Sequence, residues 1–188
     1  MTVGRRPQNL LATALLAACA FLLAPAARAQ AAHVHGQVRL EVQIDGPTVL
    51  IRMHAPLDDL LGFERAPRSD AERQAADDLV VRLRAADALF TIDPVANCKL
   101  GPVELHSAVL GLGPQAPAAE AGDGHADLDA SFAFNCTNAV AAKYVDLGLF
   151  GAFKSVRQID ARISAPQGQF QRSLKRPATR LGWNAWNA

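Results

Sequence analysis

From Val34 to Ile44 polar and apolar residues alternate. Val34, Val38, Leu40, Val42 and Ile44 fall on one side, and His33, His35, Gln37, Arg39, Glu41 and Gln43 on the other. A period of two over this length predicts a half-buried strand. Asp45-Gly46-Pro47 has turn chemistry, and Thr48 to Ala55 alternates again with Val49, Ile51 and Met53 inward, so a hairpin is expected. Pro56 to Pro67 is expected as a loop or short helical turn. Ser69 and Glu72 then form a capping box, in which the serine accepts a backbone N–H and the glutamate reaches back. The helix that follows is expected to run to about Ala86, with Ala75, Ala76, Leu79, Val80 and Leu83 on the face it lays on a sheet.

Shorter strands are expected at Leu89 to Ile92, Val103 to Leu110 and Lys143 to Gly148. Ala126 to Cys136 alternates, with Leu128, Ala130, Phe132 and Phe134 inward and His125, Asp127, Asp129 and Ser131 outward. Gly113 to Gly124 is a loop rich in Pro, Ala and Gly, and Leu149 to Phe153 a tight turn or helical turn. Val156 to Ser164 and Gln169 to Leu174 predict a second hairpin about "APQG". The pattern is α+β: a mostly antiparallel sheet of hairpins with one amphipathic helix packed on it, in a single domain. The domain is expected over 30–175, and the tail 176–188, with Trp183 and Trp186, is expected to be loosely held.

The first 29 residues change the picture of where this domain works. Arg5 and Arg6 precede a Leu- and Ala-rich run that ends at Ala27-Arg28-Ala29, the layout of a cleaved secretory signal peptide. Leu16-Ala17-Ala18-Cys19 also fits a lipobox, but the residues after Cys19 stay apolar. Cleavage after Ala29 leaves 159 residues, with 16 basic against 18 acidic. That balance gives no basic patch for nucleic acid, and no membrane association is expected unless Cys19 is lipidated. The expected location is the periplasm. There Cys98 and Cys136, the two cysteines beyond the leader, are expected to form a disulfide. It would close a loop worth about 4 kcal/mol in chain entropy. The rival reading, a pair of metal thiolates, lacks a CxxC spacing.

Candidate chemistry rests on histidines. Residues i and i+2 of a strand project to the same side, so His33 and His35 are expected to leave the sheet together. His125 and Asp127 repeat that spacing on another strand. If the two polar faces meet, the four side chains make a His3Asp shell suited to zinc. His54, on the polar side of its strand, is an extra or substitute ligand, and His106 is read as a surface residue. The plainer alternative is that an H-x-H pair near a mature N-terminus does nothing. HExxH, GxSxG and Gly-rich phosphate loops are missing, so no enzymatic activity is expected.

The ordered set "HVHG", "APLDDLLGFERAP", the helix, Cys98, "HADLDASFAFNC" and "LFGAF" resembles the ZrgA-type periplasmic zinc-uptake proteins over nearly the whole mature chain. The resemblance implies an exported zinc-binding accessory of zinc uptake, serving a zinc importer or its solute-binding protein. It matches His33 and His35 to the family's H-x-H-G, and His125 and Asp127 to its H-x-D before the second cysteine. Glu64 matches the glutamate of its GFE, where a structural role, binding loop N–H groups and holding Phe63 in the core, is expected over a ligand role. Two departures stand out. Arg65 replaces a histidine common after that glutamate, and the loop between the cysteines carries a single histidine in place of a His- and acid-rich tract. The alternative function is an exported structural or interaction protein with incidental histidines.

Overall fold

A computed structural model describes residues 34–114 and 126–183. The expected leader, Cys19, His33, most of the Pro/Ala/Gly loop, His125 and Trp186 lie outside the described residues. The strands found are β1 (Gln37–Asp45), β2 (Thr48–Pro56), β3 (Phe90–Ile92), β4 (Cys98–His106), β5 (Asp127–Cys136), β6 (Tyr144–Leu147), β7 (Gln158–Ala165), β8 (Gly168–Lys175) and β9 (Arg180–Gly182). The helices are α1 (Leu57–Leu61), α2 (Asp70–Arg84) and α3 (Leu149–Ala152). Six strands form one sheet in the order β4-β5-β2-β1-β7-β8, and three form another in the order β3-β6-β9. The fold is α+β with antiparallel pairing dominant. The exception is β1 with β7, which run parallel.

The alternation in the sequence decides which face is buried. Leu40, Val42, Val49, Ile51, Met53, Leu128, Phe132, Ile159 and Ile163 all point inward. They pack with Leu79 and Leu83 of α2 and with Phe90, Val145 and Leu147 of the small sheet. Phe90 and Phe132 join the two sheets with ring centroids 4.9 Å apart. The other face of the six-stranded sheet is polar. One row across it, set by register, runs His106, Asp129, His54, Arg39, Asp160, Ser173.

Helix α2 starts as its sequence requires. Ser69 Oγ accepts the Glu72 N–H at 3.2 Å, and Glu72 reaches back to the Arg68 N–H at 2.6 Å. Arg65 then grips Glu72 through two bonds of 2.9 and 2.7 Å, and its guanidinium lies 5.2 Å from the Phe63 ring centre. The Arg65 grip, helped by the Arg68 N–H, holds the Glu72 carboxyl down at about 2. Arg65 therefore fastens the "GFER" loop to the helix.

Cys98 and Cys136 are bonded and face each other in register across β4 and β5. The tail differs from expectation. Arg180–Gly182 pairs with β6, Leu181 and Trp183 are buried, and the Trp183 indole N–H donates to the Ala142 carbonyl at 2.9 Å. A tryptophan that satisfies its one polar atom can be buried whole, and its large apolar surface then holds the chain down. The expected boundary at Lys175 thus falls inside the fold.

Candidate metal centre

The first strand begins at Gln37, three residues later than the alternation suggests, because Gly36 takes φ 82°. That left-handed backbone suits glycine. A Cβ there would collide with the Arg157 guanidinium. Gly36 is held from every side. Its carbonyl accepts the Arg157 and Gln158 N–H groups, and its own N–H points between the two Asp59 carboxylate oxygens at 2.6 and 2.8 Å. Arg157 also donates to the His35 carbonyl at 2.9 Å. The glycine of "HVHG" therefore locks the chain into a turn. His35 sits in that turn and not on a strand, so the expected i, i+2 strand pairing does not describe it, and Val34 is 55% exposed instead of inward.

The turn aims His35 at α1. Its Nδ1 lies 3.2 Å from Asp58 Oδ2 and 3.8 Å from Glu64 Oε1. Donor atoms of His35, Asp58 and Asp59 all fall within 4.8 Å of one another. Asp59 is only 3% exposed, and burial raises its carboxyl above the usual range while the Gly36 N–H pulls it back. With both oxygens on Gly36, Asp59 positions the turn, whereas His35 and Asp58 reach solvent with half and two-fifths of their side chains exposed.

A second group adjoins this one on the polar face. His54 sits directly across from Asp129, and its Nδ1 lies 2.9 Å from Asp129 Oδ1. Its Nε2 lies 3.8 Å from Asp127 Oδ2. The Asp129 hydrogen bond raises His54 above the ordinary histidine value of 6.5, against burial and with help from the charges of Asp129 and Asp127. Asp127 pairs with Pro56, and the next residue, Leu57, donates its N–H to Ala126 at 2.8 Å. The start of β1, the end of β2 with α1, and the start of β5 therefore meet at one end of the sheet.

The donor set suits zinc. Two ligands about 2.1 Å from a tetrahedral ion stand about 3.4 Å apart. The separations of 3.2, 3.8 and 3.8 Å between imidazole nitrogens and carboxylate oxygens lie around that value. The two sulfurs of Cys98 and Cys136 are bonded to each other, so these two offer no thiolate.

Of the four expected ligands, His35 and Asp127 are both at this end of the sheet. His33 and His125 lie outside the described residues, two positions before them. Glu64, expected to serve its own loop, faces His35. Asp58 and Asp59 went unread in the sequence because acidic residues in a helix's first turn are ordinarily accounted for by the helix dipole. Their signal was their place within "PLDDLLGFE", between the hairpin and the GFE glutamate.

The chain matches the ZrgA family of zinc uptake proteins over residues 32–183 and belongs to it. No curated protein matches the chain.

Proposed function

We propose that this member of the zinc uptake family is a periplasmic zinc-binding accessory protein, non-enzymatic, that hands its ion on to a zinc importer or the importer's solute-binding protein. The ion is held at the end of the sheet where β1 and β5 begin. His35, Asp58, Glu64 and Asp127 supply ligands, and His33 and His125, two residues away along the chain, complete the shell. The observation that carries this reading is the approach of the Asp58 and Glu64 carboxylates to the His35 imidazole, at 3.2 and 3.8 Å. An exposed imidazole beside several carboxylates gathers negative charge that a dication offsets, and its exposure lets the ion enter and leave. The leader and the Cys98–Cys136 disulfide support an oxidising compartment.

The test is a zinc titration of untagged protein. We expect saturable binding and a rise in Tm that EDTA reverses, since a ligand held only by the folded state adds about 2.7 kcal/mol at a hundredfold excess over Kd. His35→Ala with Asp58→Ala should abolish the rise and leave the metal-free Tm nearly unchanged, because an exposed ion pair contributes little. Wild-type protein that takes up no zinc would remove the proposal.

A further inference from the structure

His54 stands one row inward from the turn, and its ring is held differently from that of His35. His54 and Asp129 are register partners on neighbouring strands, so the backbone ladder itself fixes their spacing. Asp129 accepts at Nδ1 from a distance of 2.9 Å. In a neutral imidazole, the proton then resides on Nδ1 and the lone pair on Nε2. Nε2 looks toward Asp127, at 3.8 Å. That separation is too long for a hydrogen bond and close to the spacing of two ligands on one zinc. A carboxylate behind one ring nitrogen with the metal at the other is the arrangement that orients ligating histidines and raises their basicity.

Resting on the zinc reading above, we propose that His54 ligates zinc through Nε2 together with Asp127, and that Asp129 is its positioning residue. Asp129 fixes the tautomer and the ring plane from the side away from the ion. His54 and Asp129 lie on the paired strands β2 and β5, so this ligand is presented by the rigid sheet, while His35, Asp58 and Glu64 come from the turn, α1 and the loop after it.

The rival account is a histidine that makes two ion pairs with the aspartates and never meets a metal. Nitrogen-15 NMR of full-length mature protein separates the two without any substitution. With the imidazole neutral and no zinc present, the His54 proton should be on Nδ1, and zinc should shift the Nε2 resonance by the amount seen for coordinated imidazole. Asp129→Ala should weaken zinc affinity about 10–100-fold, measured by chelator competition. Asp129→Asn, which keeps an acceptor, should restore part of the loss. An Nε2 resonance unmoved at zinc saturation, or Asp129→Ala affinity within twofold of wild type, overturns the role of His54 and Asp129 while the His35 site stands. Absence of zinc uptake by the wild type overturns both.

Discussion

The two ends of β5 are built on opposite principles. At Cys136 the strand is tied to β4 by a disulfide, and the Cys136 N–H donates to the Pro47 carbonyl at 2.7 Å, beside the β1–β2 turn. At Asp127, about 30 Å along the strand, the polar groups are side chains: Asp127, Asp129, His54, Asp58, Glu64 and His35. One end is closed by a covalent bond that needs nothing further. The other gathers carboxylates around two imidazoles, an arrangement whose mutual repulsion a cation relieves. The same strand thus anchors the fold at one end and carries the proposed zinc ligands at the other, so the two roles can be tested separately.

Removing the covalent tie should produce the largest effect. Replacing Cys98 and Cys136 by alanine should cost about 4 kcal/mol of stability by the loop-entropy argument, read as a fall in the denaturant midpoint. The zinc-induced rise in Tm should survive undiminished, because sites this far apart contribute additively. Loss of the zinc effect in that variant would show that the two ends are coupled.

Gly36→Ala attacks the other end. The left-handed backbone alone costs an alanine about 1–2 kcal/mol, and the Arg157 guanidinium must also move. The turn that aims His35 should loosen, so zinc affinity should fall together with Tm. A variant that loses stability but keeps wild-type affinity would separate the turn from the site.

The smallest expected effect concerns Arg65, the last residue of "GFER". The Arg65 grip and the Arg68 N–H keep Glu72 at about 2, well under its usual 4.5. A depressed carboxyl favours the folded state above its unfolded value, and that contribution fades as pH falls from about 4.5 toward 2. In Arg65→Ala, an NMR titration should find Glu72 moved up toward its ordinary value. The zinc affinity at neutral pH should fall only modestly, since Arg65 fastens the loop that carries Glu64 but reaches α2 and not the ion. An affinity loss as large as that of His35→Ala with Asp58→Ala would give Arg65 a direct part in the site.

Much of the fold was legible in alternation and capping. The period of two marked β1, β2 and β5, the turn "APQG" marked the terminal hairpin, and Ser69 with Glu72 marked the start of α2. Their signals are local, and the structure uses them locally. Trp183 was not legible, because its burial depends on a carbonyl at Ala142 far away in the chain. The parallel pairing of β1 with β7 is likewise a long-range choice. For the site, the residue types were legible and the geometry was not. "HVHG" reads as the start of a strand until Gly36 is seen held by Asp59 and Arg157, and that turn is what sends His35 to Asp58. His54 stood out as a histidine on a polar face, but its aspartate partners come from a strand that no local pattern links to it.

The most direct measurement is anomalous diffraction at the zinc edge from crystals of mature protein grown with zinc. The account predicts a peak about 2.0–2.2 Å from His35 nitrogen and Asp58 oxygen, at the end of the sheet where β1 and β5 begin. A peak ligated elsewhere on the chain, or no peak from protein that is fully folded and zinc-saturated in solution, would contradict it.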